Sequence, residues 1–128
     1  MGSRAWRGSP NGAASAPIES ITSNPAHALW AGIVEEDEAR QVAETLMDNR
    51  MFNGWGIRTL ASGEAGYNPI DYQVGSVWPH DNGLAAAGLK RYGYGAEACR
   101  IFSALFEAAA RFPQYRLPEV FAGYARSR

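Results

Sequence analysis

The residues able to do chemistry gather in one stretch of the 128-residue chain. It reads Phe52-Asn53-Gly54-Trp55-Gly56-Ile57-Arg58-Thr59, then Tyr67-Asn68-Pro69-Ile70-Asp71-Tyr72-Gln73-Val74-Gly75-Ser76-Val77-Trp78-Pro79-His80-Asp81-Asn82. Indole and phenol rings such as those of Trp55, Tyr72 and Trp78 offer flat apolar faces to the C–H face of a sugar ring, and a polar edge to its hydroxyls. Arg58, His80, Asp81 and the neighbouring amides supply the fixed hydrogen bonds that a polyhydroxylated ligand needs. The glycines let backbone and ligand approach closely. Nothing in the stretch resembles a phosphate loop or a Ser/His/Asp arrangement. The plainer reading is that Trp55 and Trp78 fill core and that the glycines serve turns.

No helical period holds across residues 51–81, so they are expected as one long structured loop, with Gly56–Leu60 as a candidate short strand. Such loops are uncommon in compact domains and are more often functional where they occur. Helices must hold it in place. Ser23-Asn24-Pro25 signals a helix start, for a short helix carrying Leu29, Trp30 and Ile33. Glu35, Glu36, Asp37 and Glu38 crowd the start of a second helix, where carboxylates suit the positive end of the dipole. Ala39, Val42, Ala43 and Leu46 then recur at helical spacing, and Arg50 falls near the end. The acidic run reads as a solvated helix start rather than a metal site. Asp81 or Asn82 can cap a third helix over about 82–92, apolar nearly all round and therefore expected to be buried on most sides. A fourth runs over about 95–111 with Ala98, Phe102, Leu105, Phe106 and Ala109 on its apolar face, and Pro113 stops it. Cys99, inside that pattern, reads as a small core residue rather than a nucleophile. A short segment, Leu117–Phe121, follows. The fold class is all-α, with helices in pairs.

Composition removes several classes of function. Hydrophobic residues make up 46% and charged residues 20%, so the chain should bury a core. A net charge of −1 gives no electrostatic case for nucleic acid or an anionic membrane. No stretch approaches the roughly 20 apolar residues of a membrane span. The single cysteine excludes an internal disulfide framework and a Cys-based zinc site. No metal-ligand cluster is visible, so no cofactor is expected. Residues 1–17 are rich in Gly, Ser, Ala and Pro and are expected as a flexible tail. They have arginines but no apolar run of a secretory signal, so a cytoplasmic location is the expectation.

The ordered string of motifs resembles the C-terminal catalytic domain of bacterial glycogen-debranching-type proteins (amylo-α-1,6-glucosidases) and their relatives among (α/α)6-barrel glycoside hydrolases. The runs that carry the resemblance are Ser23-Asn24-Pro25 through Leu29-Trp30-Ala31-Gly32-Ile33, Gly54-Trp55-Gly56-Ile57-Arg58-Thr59-Leu60, Tyr67-Asn68-Pro69, Gly75-Ser76-Val77-Trp78-Pro79-His80-Asp81-Asn82 and Arg116-Leu117-Pro118-Glu119-Val120-Phe121-Ala122-Gly123. They span about residues 18–125, and residues 18–128 are expected to be the C-terminal part of such a domain. The resemblance implies a toroid of six inner and six outer helices, with the 82–92 helix inner and the other two long helices outer. The class therefore becomes a partial (α/α)6 toroid, about four helices with a long Gly/aromatic loop.

The resemblance further implies inversion by two carboxyl groups, one protonating the leaving oxygen and one activating water from the opposite face. It carries the general-base role to Glu119, which otherwise reads as a carboxylate after Pro118 at a helix start. The general acid is expected from an earlier helix pair outside this chain. Trp55 and Arg58 are expected in a subsite wall, and Tyr72 against the sugar. Trp78 is expected as a stacking platform or core anchor. His80 is expected as a hydroxyl ligand or structural histidine, and Asp81 as a hydroxyl ligand or N-cap. His27 is expected to be surface or structural. Gln73 stands where relatives commonly have His. The implied partners are an α-glucan or other oligosaccharide and the missing N-terminal part of the barrel. The alternative is a non-catalytic helical carbohydrate-binding or interaction module using Trp55, Arg58 and Trp78. Such a module should carry polar residues on its outer faces, and Leu84, Leu89, Phe102 and Phe106 do not.

Overall fold

The computed structural model describes residues 19–127. The expected tail, residues 1–17, lies outside the described residues. Four helices follow in order: α1 (Pro25–Ala31), α2 (Glu36–Met47), α3 (Pro79–Arg91) and α4 (Gly95–Ala109), with a 3-10 turn at Pro113–Tyr115. Among the described residues no strand forms, so the all-helical class expected of a partial (α/α)6 toroid holds. No described helix is long and apolar enough to cross a membrane.

α3 is the centre of the packing, with α1 on one side and α4 on the other, while α2 packs on α1. Small residues make this possible. A Cβ on Gly88 would lie 2.6 Å from the backbone nitrogen of Trp30 and 2.8 Å from the Cβ of Leu29, so α1 crosses α3 where α3 has no side chain. Leu29, Leu46, Ile57, Leu89 and Ile101 are the large aliphatic residues sealed inside. Each such side chain contributes about 1.5–3 kcal/mol by leaving water.

The helices differ from the sequence expectation in register more than in existence. α1 begins with Pro25 in its first turn, and Gly32 closes it in the left-handed conformation at φ 72°. Ile33 therefore lies beyond the helix and is exposed. α3 starts at Pro79, three residues before the expected point, because proline fits a first turn. Asp81 and Asn82 are thus inside the helix and do not cap it. α3 is also less enclosed than expected, with Ala87 exposed and Leu84 half-buried.

α4 buries Ala98, Ile101, Ala104, Leu105, Ala108 and Ala109. Its inward stripe centres on Ile101, so Phe102 and Phe106, expected on the core face, are exposed, Phe106 at 75%. The same rotation exposes Cys99, which is not the core residue the sequence suggested. The long loop is held by isolated antiparallel bridges: Thr22 with Leu60, Phe52 with Ile57, Arg58 with Val77 and Val77 with Phe121. The candidate strand at Gly56–Leu60 is therefore several single pairings.

Candidate functional site

Three buried polar side chains shape the loop. Asn53 Oδ1 accepts the backbone N–H of Trp55 at 2.8 Å and of Gly56 at 3.0 Å, while its Nδ2 donates to the Tyr124 carbonyl at 2.9 Å. Asn82 is fully buried; its Oδ1 accepts the Ile57 N–H at 2.6 Å and its Nδ2 donates to the carbonyls of Ile57 and Trp78. Arg58 is only 4% exposed. Its Nε donates to the Gly123 carbonyl at 2.7 Å, and Nη1 to the carbonyls of Asn49 and Arg50 at 3.0 and 3.1 Å. A buried guanidinium needs such partners to offset its desolvation. The structure gives Arg58, expected in a subsite wall, to three backbone carbonyls of two segments.

Those contacts bring the 119–123 segment onto the loop. Val77 and Phe121 exchange both backbone hydrogen bonds, at 2.9 and 3.0 Å. A Cβ on Gly123 would overlap the Gly75 carbonyl oxygen, so only glycine fits there. Beside this pairing stands an exposed cluster. The Tyr72 hydroxyl donates to Glu119 Oε1 at 3.1 Å. The Tyr72 and Trp78 rings meet edge to face with centroids 4.6 Å apart, and Trp78 meets His80 the same way at 5.8 Å. Desolvation first, then the hydrogen bond to Glu119 and its negative charge, raise the Tyr72 phenol above its ordinary 10.0.

Trp78, His80 and Asp81 also line a cleft of about 410 Å³, together with His27, Thr59 and Gln73. His27 Nε2 lies 2.5 Å from Asp81 Oδ1 across it. On sequence His27 is a surface or structural residue. Only the packing of α1 against α3 puts it in the cleft wall, and no local signal announces that. Trp55 stands elsewhere. Its indole lies under the guanidinium groups of Arg111 and Arg126, at 5.4 and 4.3 Å from the ring centroid, and Arg126 also pairs with Glu107. Trp78, His80 and Asp81 thus line the cleft, the Tyr72–Glu119 pair adjoins it through Trp78, and Trp55 and Arg58 stand apart from it. Among the described residues no cluster of His, Cys, Asp or Glu could hold a metal ion.

Comparison with known proteins gives the chain's fold type and family. A crystal structure of an uncharacterized conserved protein from Thermus thermophilus superposes with a TM-score of 0.70 at 22% identity, covering 87% of this chain and 27% of that one. The GH63 mannosylglycerate hydrolase of the same organism, in complex with glucose, superposes with a TM-score of 0.69 at 23% identity, over 87% of this chain and 26% of that one. The shared fold is part of an (α/α)6 glycosidase barrel. The mannosylglycerate hydrolases MGH1 and MGH2 of Selaginella moellendorffii are each 34% identical over 73 residues, which is 57% of this chain and 15% of theirs. The chain therefore spans about a quarter of the solved structures it matches, and its match covers less of the plant proteins. The glycogen-debranching specificity suggested by the motifs is not what these similarities support; the barrel type is the same and the branch differs. Residues 5–123 match the mannosylglycerate hydrolase MGH1-like glycoside hydrolase domain, and the chain belongs to that family.

Proposed function

We propose that the chain is the C-terminal part of an inverting glycosidase that cleaves a small glycoside of the mannosylglycerate type. Glu119 is the general base. Trp78 stacks on the sugar, and His80 and the Asp81–His27 pair hold its hydroxyls. The general acid comes from a helix pair outside this chain, on the opposite face of the sugar, with roughly 6.5–9.5 Å between the two carboxyl groups. The observation that carries the reading is the union of Glu119, Tyr72 and Trp78 beside a cleft walled by His27, His80 and Asp81. An aromatic face and fixed polar groups are what a pyranose ring requires, and family membership supports the sugar as the ligand. Exposed Trp30, Ile33 and Phe106 support further barrel helices as partners.

Titration of this chain with mannosylglycerate, and separately with a limit dextrin, tests the reading by nuclear magnetic resonance. Mannosylglycerate is expected to shift the resonances of the cleft residues, and Trp78→Ala to weaken that binding about tenfold, or ~1.4 kcal/mol. Equal affinity in Trp78→Ala would remove the stacking role. Binding of the dextrin but not of mannosylglycerate would return the specificity to the glucan branch.

A further inference from the structure

We propose that Tyr72 is a positioning residue for Glu119, its phenol O–H fixing one carboxylate oxygen and leaving the other for water. This deepens the reading of Glu119 as general base and rests on it. A general base must lie within hydrogen-bond reach of the water it activates. Glu119 is exposed and stands outside every helix, and a free Glu side chain samples many rotamers, a freedom whose loss costs up to about 2 kcal/mol. Something must hold it if it is to act.

Tyr72 is built to do so. Its carbonyl accepts the Ser76 Oγ–H at 2.7 Å and the Trp78 Nε1–H at 2.9 Å, and its ring rests edge-on against Trp78. The phenol is therefore a donor fixed from behind. Trp78 has its polar edge engaged in the same contacts, with Ser76 Oγ a further 3.1 Å acceptor, so its remaining use is its face. The other end of the bond is anchored as well. Glu119 lies two residues before Phe121, and Phe121 pairs with Val77, the neighbour of Trp78. One short pairing thus carries both partners, although they are 47 residues apart in sequence. Oε2 of Glu119 has no protein donor among the described residues, so the bond occupies Oε1 alone.

The test is a spectrophotometric pH titration of the tyrosines in this chain. Subtracting the curve of Tyr72→Phe from that of the unsubstituted chain isolates the Tyr72 phenol. Its midpoint is expected above 10.0. In Glu119→Gln and in Glu119→Ala it is expected to move down towards 10.0, because the charge, and in the alanine variant also the acceptor, is gone. Glu119 is exposed, so both variants are expected to keep the fold, and circular dichroism checks this. An unchanged Tyr72 midpoint in both variants overturns the proposal, since packing against Trp78 alone would leave it unmoved. The titration needs no turnover. Failure of the base reading shows separately, as hydrolysis by the longer enzyme that survives Glu119→Gln while the titration still shows the pair.

Discussion

Arg58 and His27 show how little a residue's type says about its use. An arginine among glycines and aromatics reads as a ligand to a sugar hydroxyl, and the sequence offers no reason to think otherwise. Its donors go instead to three backbone carbonyls of segments up to 65 residues away. That use depends on chain crossing, which periodicity does not encode. The two readings separate by experiment. Arg58→Met is expected to destabilise the chain by about 3 kcal/mol in urea unfolding, because it leaves buried carbonyls without donors. A subsite-wall arginine would instead lower sugar affinity and leave stability within about 0.5 kcal/mol. That Trp78, His80 and Asp81 lie together was more legible, because they adjoin one helix start and stay together wherever that helix goes. Glu119 came from the motif resemblance alone, since its segment has no periodicity to place it.

At the scale of the element, the four helices were visible from start signals and apolar spacing together. Pro25 sits in the first turn of α1 and three carboxylates begin α2, whereas α3 and α4 showed through their apolar patterns and the true start of α3 at Pro79 was missed. Register was harder to see. α4 has Ile101, Phe102, Leu105 and Phe106 on adjacent columns, so two overlapping stripes are both apolar, and hydrophobicity does not choose between them. Packing against α3 chooses the stripe with the small residues Ala98, Ala104 and Ala108, which lets the two helices come close. Paired substitutions check the choice. Ile101→Ala is expected to lower unfolding free energy by about 2–5 kcal/mol, the range for removing a buried aliphatic side chain. Phe106→Ser is expected to change it by no more than about 0.5 kcal/mol. The reverse order would place the phenylalanines on the core face after all.

At the scale of the whole molecule, the barrel type was legible and the branch was not. Aromatic faces, amides and carboxylates recognise a pyranose ring of any kind, so the residue types of the 52–82 stretch suit a sugar without stating what hangs from it, and the glycosidase reading rests on the motif resemblance. Of the side chains the sequence offered as outer apolar surface, Leu89 is buried and Leu84 half-buried, whereas Phe102 and Phe106 are exposed, and Trp30 and Ile33 join them. Ile33 is 77% exposed, Phe106 75% and Trp30 50%. Large apolar side chains in such positions favour association. The chain by itself is therefore expected to associate reversibly, with its weight-average mass in sedimentation equilibrium rising with concentration. The Ile33→Ser, Phe106→Ser double variant removes apolar area from two of these positions, both outside the core. It should weaken that rise while keeping the unfolding midpoint close to that of the unsubstituted chain. A chain monomeric at every concentration, or a double variant that associates as strongly as the parent, would show that these side chains are ordinary surface, and would withdraw them as support for further barrel helices.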